Sequence, residues 1–169
     1  MVKIRVRFWL LVLSSFLLAA TGILGSCKSV ANSGFRIVLD DTGEVVLTDE
    51  HISSYDWQSH TIELTEKGKE RWNSFHTFGS IPKLSESLFN REFVATLDGK
   101  ELYRGKFYSG LSSMSYSGIV ILDAMFTLDN RYSTISIDYG YPPEELGAGE
   151  DPRNNPELYK FLETKGLLK

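Results

Sequence analysis

The distribution of apolar and polar residues divides the chain into an apolar start, a short polar segment and a long patterned body. Residues 8–26 carry no charge and are dominated by Leu, Val, Phe and Ala. The charges that precede this run are all positive: Lys3, Arg5 and Arg7. Residues 27–34 are mostly small and polar, which is typical of a flexible tether. From there on, short apolar runs alternate with turn clusters, and this pattern predicts one domain over residues 35–169.

Apolar runs with a period of two predict strands, because successive side chains of a strand point to opposite faces. The predicted strands span residues 35–39, 44–47, 60–64, 91–97, 100–107, 118–126 and 132–139. Asp98-Gly99 between two alternating runs is typical of a two-residue hairpin, since both central positions need a positive φ. Residues 48–52 predict a short helical turn with Thr48 or Asp49 as its cap.

Capping residues mark two predicted helices. Thr65 is the expected cap of a helix over residues 66–76. Asn155 is the expected cap of a second helix, which has Pro156 at its first position and ends at Gly166. Together with the strands, these helices predict an α+β fold: a mostly antiparallel sheet with two helices packed on one face.

Composition and charge narrow the classes of protein that fit this pattern. Of 169 residues, 42% are hydrophobic and 24% are charged, which excludes a disordered, collagen-like or disulfide-scaffold chain. The net charge is -4, and a nucleic-acid partner is not expected because such binders usually carry a basic surplus. Residues 27–169 contain 15 basic and 22 acidic residues, so the body without residues 1–26 carries -7.

The apolar start ends in a motif that determines the predicted location. Leu24-Gly25-Ser26-Cys27 resembles the lipobox of bacterial lipoproteins, in which the cysteine thiol receives a lipid and the chain is cut just before it. This resemblance implies a signal peptide over residues 1–26. It also implies a lipid such as palmitate on Cys27 and attachment to the extracytoplasmic side of the cell membrane or outer membrane. The alternative is an uncleaved signal anchor, since the apolar run is also about long enough to cross a bilayer.

A second resemblance concerns the body of the chain. Residues 46–49 (VLTD), 62–68 (IELTEKG) and 94–100 (VATLDGK) resemble, in order and spacing, the extracytoplasmic head region of the protein-export subunit SecD. The resemblance covers about residues 44–122 and implies a similar fold. By analogy it also suggests a role as an accessory to protein export.

The sequence predicts no catalytic set, no metal site and no cofactor. His51, His60 and His76 lack the spacing of a zinc helix, and we expect them at the surface or at capping positions. Neither a Gly-x-Ser-x-Gly elbow nor a phosphate-binding glycine loop occurs. An envelope hydrolase remains an alternative, with carboxylates among three candidates: Asp123, Asp129 and Asp138.

Tyrosines in two loops are the candidate partner surface, because tyrosine and serine suit adaptable binding surfaces. They are Tyr108, Tyr116, Tyr139 and Tyr141. In the serine-rich loop after residue 107, we expect hydroxyls to cap local backbone groups and Leu111 and Met114 to pin the loop to the core. Tyr108 and Tyr116 are then partly exposed. Simple connections between strands are the alternative interpretation of both loops.

These observations favour a lipid-anchored, non-catalytic binding or structural module of the cell envelope. Its partners would be the membrane, through the lipid on Cys27, and an envelope protein.

Cys27 gives the first testable prediction. In Cys27→Ser the thiol that must carry the lipid is absent, so the precursor should keep residues 1–26, run larger on a gel and take up no labelled palmitate. The fold of the body should not change, because Cys27 precedes residue 35. Processing of the variant at the wild-type position, or a wild-type protein without lipid, would replace the lipoprotein interpretation by a signal anchor.

Overall fold

The computed structural model describes residues 33–76, 88–122, 127–142 and 149–169, and the structural statements below concern these residues. They belong to one compact unit, Ser33–Lys169. The strands are β1 (Phe35–Leu39), β2 (Val45–Thr48), β3 (Ile52–Asp56), β4 (Thr61–Leu64), β5 (Glu92–Leu97), β6 (Lys100–Phe107), β7 (Tyr116–Ile121) and β8 (Thr134–Tyr141). The helices are α1 (Glu66–Asn73), α2 (Pro156–Thr164) and a 3₁₀ helix (Asp49–His51). The lipidation candidate Cys27 and the carboxylate Asp123 lie outside the described residues.

The strands form one sheet in the order β2-β1-β5-β6-β7-β8-β4-β3. Neighbouring strands pair antiparallel except for β6 and β7, which are parallel. The predicted α+β fold with a mostly antiparallel sheet is therefore confirmed. The two edge strands, β2 and β3, are consecutive in the chain and joined only by the 3₁₀ helix. Since a 3₁₀ helix rises about 2 Å per residue, the sheet must curl until its edges approach at this corner.

Alternating side chains of the curled sheet build a single apolar core. Phe35, Phe93 and Phe107 are fully buried in it, and the strands β4 and β8 add further aliphatic side chains. Trp72 of α1 packs edge-to-face against Phe107, with ring centroids 6.0 Å apart, and Leu158 of α2 joins the same cluster. Both helices thus contribute to the core, while their packing on one face of the sheet stays a prediction.

The predicted helix caps are confirmed. The hydroxyl of Thr65 accepts a hydrogen bond from the Gly68 N–H (3.1 Å), and the Asn155 side chain accepts from the Glu157 N–H (2.8 Å). Helix α1 ends at Asn73 rather than at residue 76. Its continuation tightens, because the N–H groups of residues 75 and 76 bond to carbonyls three residues back.

The predicted hairpin between β5 and β6 is also confirmed. Asp98 and Gly99 both have a positive φ, 51° and 80°. The Asp98 carboxylate in addition accepts a hydrogen bond from the Gly34 N–H (2.8 Å), and the Asp98 N–H donates to the Gly34 carbonyl (3.0 Å). The hairpin therefore holds the first residues of the domain in place.

Strand β3 was not predicted, and its irregular register explains why. Its apolar residues Ile52 and Tyr55 are three apart, whereas a regular strand buries every second residue. The pairing with β4 shifts between Ile52 and Ser54, and a bulge of this kind adds one residue to a strand. Both apolar side chains consequently face the core despite their spacing. Strand β7 begins two residues earlier than predicted and ends at Ile121, and residues 123–126 of the predicted strand lie outside the described residues. Strand β8 lies two residues later than predicted at both ends.

At each edge of the sheet, other parts of the chain bond to backbone groups of the edge strand. Along β3, the Tyr55 N–H donates to the Leu167 carbonyl (2.7 Å) and the Lys169 N–H donates to the Tyr55 carbonyl (3.0 Å). Along β2, the guanidinium of Arg71 donates to the Val45 carbonyl through Nε (3.1 Å) and Nη2. Unpaired edge strands invite pairing with other chains, and these contacts occupy backbone groups of one residue on each edge strand.

Gly105 gives a test of the packing between β5, β6 and β7. A Cβ at this position would lie 2.5 Å from Phe93 Cζ and 2.6 Å from the Ile119 carbonyl oxygen. We expect Gly105→Ala to lower the free energy of unfolding by about 1–3 kcal/mol, the usual cost of overpacking. Urea denaturation measures it. Gly110→Ala is the matched control, since its Cβ would meet nothing within 4 Å. Equal stabilities of the two variants would contradict the packing.

Candidate partner-binding surface

Three of the four predicted surface tyrosines meet on one side of the sheet. The ring centroid of Tyr108 lies 6.1 Å from that of Tyr116, in a stacked arrangement, and 5.3 Å from that of Tyr141. Tyr116 begins β7 and Tyr141 ends β8, and these two residues are paired in the sheet. Tyr139 is half-buried and packs against the main core cluster. We call residues 108–115, which connect β6 to β7, the tyrosine loop.

Tyr108 is buried, so the prediction that it is partly exposed is wrong. Its side chain is only 3% exposed, yet it lies outside the main core cluster that contains Phe107. The Tyr108 N–H bonds to the Ile121 carbonyl (2.8 Å), which continues the β6–β7 pairing by one residue. Successive residues of a strand face opposite sides, so Tyr108 faces away from the core that holds Phe107. There Val120 is buried as well.

Hydroxyl groups hold the backbone of the tyrosine loop at every second residue. Tyr141 donates to the carbonyl of Gly110 (2.7 Å) and approaches that of Ser112 (3.3 Å), and Tyr108 donates to the carbonyl of Met114 (2.9 Å). The Ser112 hydroxyl in turn donates to the Tyr108 hydroxyl and accepts from the Met114 N–H. The predicted capping of local backbone groups by hydroxyls is confirmed.

The two apolar residues of the loop point to solvent rather than into the core. Leu111 is 77% exposed and Met114 is 68% exposed, so the prediction that they pin the loop to the core is wrong. The hydroxyls of Tyr108 and Tyr141 hold the loop instead, since they donate hydrogen bonds to its carbonyls. Their bonds keep the loop ordered while its two largest apolar side chains remain accessible. Such residues cost hydrophobic free energy in water and are typical of binding surfaces.

The tyrosine loop and the strand that follows it carry no charge. Residues 107–122 include no charged side chain, although 24% of the chain is charged. The nearest cation shown is Lys106, whose Nζ lies 5.8 Å from the Tyr116 ring centroid. Burial, and next the charge of Glu92, raise the pKa of Tyr116, so its hydroxyl stays neutral at ordinary pH. The loop therefore offers apolar atoms and neutral hydroxyls, which suit recognition of another surface.

The carboxylates considered for hydrolysis have structural partners. Asp129 accepts hydrogen bonds from the N–H groups of Arg131 (2.7 Å) and Tyr132 (3.0 Å), and thereby shapes the turn before β8. Asp138 accepts from the Ser136 hydroxyl (2.8 Å) on β8.

The histidines occupy three different environments. His51 caps the 3₁₀ helix, because its Nδ1 accepts from the Thr48 N–H (3.1 Å). His76 places Nδ1 3.0 Å from the Trp72 carbonyl at the end of α1. His60 is 4% exposed, which contradicts its expected surface or capping position. A polar cluster around His60 is thus the feature that sequence reasoning missed. The positive φ of His60, 50°, is invisible in a sequence.

Comparison with protein families, with curated proteins and with solved structures finds no match to the chain. The resemblances to bacterial lipoproteins and to SecD stay predictions. Among the described residues, no group of three His, Cys, Asp or Glu side chains is arranged to hold a metal ion. In the same part of the chain, no helix is long and apolar enough to cross a membrane.

Tyr141→Phe tests whether hydroxyls order the tyrosine loop. The variant lacks the bonds to the carbonyls of residues 110 and 112, so the amides of Leu111 and Met114 should exchange faster with solvent. Unfolding should become easier by about 0.5–1.5 kcal/mol, the net value of one hydrogen bond. Amide exchange by NMR and urea denaturation provide the two measurements. Tyr132→Phe is the control, because Tyr132 is 70% exposed. Unchanged loop exchange in Tyr141→Phe would show that rings and backbone alone order the loop.

Proposed function

We propose that this protein is a lipid-anchored binding module of the cell envelope and that it holds a protein partner through the tyrosine loop. The observation that carries the proposal is the exposure of Leu111 and Met114 on an ordered, uncharged loop. A flexible loop would lose conformational entropy on binding, whereas a loop already held by three hydrogen-bonded carbonyls loses little. The tyrosine loop is therefore pre-organised for a partner with an apolar recess.

The membrane part of the proposal rests on the lipobox and on charge. The body without residues 1–26 carries -7 and should be repelled by anionic headgroups. Two acyl chains on Cys27 are sufficient to hold it, where one chain is marginal. Gly34 is bonded to Asp98 of the folded domain, so the residues from 27 to 34 span at most about 25 Å when fully extended. The domain would stay close to the cell membrane or outer membrane.

The proposal also includes the packing of both helices on the core side of the sheet. Trp72 of α1 and Leu158 of α2 belong to the main core cluster, whereas Tyr108 and Val120 are buried outside it. In this arrangement the far side of β6, β7 and β8 is covered by the tyrosine loop and not by a helix. The loop would then be the layer that a partner meets first.

A binding role is favoured over hydrolysis by the surroundings of the candidate carboxylates. Asp129 is engaged by two backbone N–H groups of its own turn, which lowers its pKa and keeps it an acceptor. Asp138 is engaged by a neighbouring hydroxyl. A general acid needs a carboxyl that keeps its proton near neutral pH, and the turn around Asp129 favours the opposite state.

The double variant Leu111→Ser/Met114→Ser tests the proposed surface. A photo-crosslinking residue at position 113 would be introduced into wild type and variant in intact cells. The wild type should give a discrete adduct with one envelope protein. The double variant should give at least tenfold less of it, since truncating two central apolar contacts costs several kcal/mol of binding free energy. Both side chains are exposed, so the free energy of unfolding should not fall.

Tyr132→Ser is the control for this experiment, since it removes an equally exposed apolar side chain from another turn. It should leave the adduct unchanged. An adduct of equal yield in the double variant, or none in the wild type under conditions where the protein is present and lipidated, would contradict the proposed surface. Loss of the lipid in the Cys27→Ser variant tests the anchor separately.

A further inference from the structure

A buried polar cluster surrounds His60 in the turn between β3 and β4. The Tyr55 hydroxyl lies 2.9 Å from His60 Nδ1, and the Asp151 carboxylate lies 3.9 Å from His60 Nε2. Trp57 covers the ring with its centroid 5.6 Å away. Tyr55 is fully buried and His60 nearly so. Water therefore has little access to the hydrogen bond between them.

The partners on the two ring nitrogens determine the tautomer of the neutral imidazole. A carboxylate can only accept, so Nε2 carries the proton on the side of Asp151. Nδ1 is then an acceptor, and the Tyr55 hydroxyl donates to it. In this state the Tyr55 hydroxyl proton points at His60 Nδ1, and the proton on His60 Nε2 points at the Asp151 carboxylate.

Arg153 fixes the carboxylate that faces the ring. Its guanidinium binds Asp151 through Nε (2.9 Å) and Nη2 (2.6 Å), and its Nη1 donates to the Ile137 carbonyl of β8 (2.5 Å). Burial acts to raise the pKa of Asp151, but the hydrogen bonds and charge of Arg153 outweigh it and lower the pKa. Arg153 and the ionised Asp151 thereby hold the residues before α2 against strand β8 of the sheet.

Tyr55 connects this cluster to the end of the chain. Its hydroxyl binds His60, while its backbone N–H and carbonyl bind Leu167 and Lys169. A ring contact adds to these hydrogen bonds: Tyr159 of α2 packs edge-to-face on Trp57, with ring centroids 5.0 Å apart. We call residues 149–169 the C-terminal strap. The strap covers part of the outer edge of β3 at Tyr55. Its contacts through Tyr55, Trp57 and Arg153 lie around His60, while the ion pairs Lys100–Glu157 and Lys169–Glu63 hold it to the sheet elsewhere.

We propose that His60 is an acid-sensitive latch, and that protonation of its ring loosens the C-terminal strap and uncovers the edge of β3. A protonated imidazole donates from both nitrogens, so Nδ1 can no longer accept from Tyr55. The Tyr55 hydroxyl would have to turn and accept. Its own proton would then need another acceptor in a fully buried site, and a buried donor without an acceptor is destabilising.

Charged and titratable groups from three elements of the fold face the ring and set its response: Tyr55 and Asp56 of β3, Asp138 of β8, and Asp151 and Arg153 of the strap. Tyr103 of β6 belongs to the same cluster through Tyr55. Burial and then the charge of Arg153 lower the pKa of His60, while the carboxylates oppose this shift. The unfolded chain therefore binds a proton on His60 more readily than the folded one. The stabilisation is complete above the ordinary value of 6.5 and is lost progressively as the pH falls below it.

Amide exchange of the full-length protein, followed by NMR at pH 7.5 and 5.5, tests the latch. After correction for the chemical exchange rate, the amides of Tyr55 and Lys169 should become at least tenfold less protected at pH 5.5. The amide of Phe107, which bonds to the Arg91 carbonyl away from the strap, should change little. Equal protection of the strap amides at both pH values would overturn the proposal.

Two variants separate the latch from general acid sensitivity. His60→Asn cannot take up a proton and tolerates the positive φ, so the difference between the two pH values should vanish. Tyr55→Phe keeps the aromatic ring at position 55 but lacks the hydroxyl that must turn. In this variant, most of the difference in amide protection between the two pH values should also vanish. His51→Asn, at a histidine whose pKa is also lowered by burial, should keep the wild-type response. A full acid response in either His60→Asn or Tyr55→Phe would overturn the latch.

Discussion

The joining of the two edge strands by a three-residue 3₁₀ helix is the constraint on which the fold depends. Because Asp49–His51 is so short, β2 and β3 cannot lie at opposite sides of a flat sheet, and the sheet has to curl. The same corner positions α1: the Thr65 N–H donates to the His51 carbonyl (2.9 Å), and Gly68 packs so closely that a Cβ would lie 2.4 Å from that oxygen. Helix α1, which begins at this corner, places Trp72 in the apolar core of the curled sheet.

The position of the tyrosine loop follows from strand direction. The β6–β7 pair is the parallel one among the described strands, and parallel strands cannot be joined by a tight turn. Residues 108–115 must therefore cross between the end of one strand and the start of the next. Tyr108 and Tyr141 bind the crossing segment by its carbonyls, while the side chains of Leu111 and Met114 point outward. The candidate partner surface thus arises from topology, and its apolar residues remain exposed without disorder.

Features that depend on neighbours in the sequence were predictable, and features that depend on distant residues were not. The Asp98-Gly99 hairpin and the caps Thr65 and Asn155 need only local φ values and nearby N–H groups, and the structure shows them as predicted. In contrast, β3 is hidden by a bulge that only its pairing with β4 reveals. The same holds for Leu111, which resembles a core residue until the tyrosines beneath it are in place, and for His60, whose burial requires the distant residues of the strap.

The contacts along the edges of the sheet would have a consequence if the protein is held at a membrane surface, as proposed. A lipid anchor confines molecules to two dimensions, where neighbours collide far more often than they would at the same number in solution. Backbone groups left open along β2 or β3 would turn such collisions into lateral aggregates. Arg71 on the Val45 carbonyl and the C-terminal residues on Tyr55 occupy part of these groups from within the same chain. On the proposed anchor, these intramolecular contacts would disfavour lateral pairing of the edge strands.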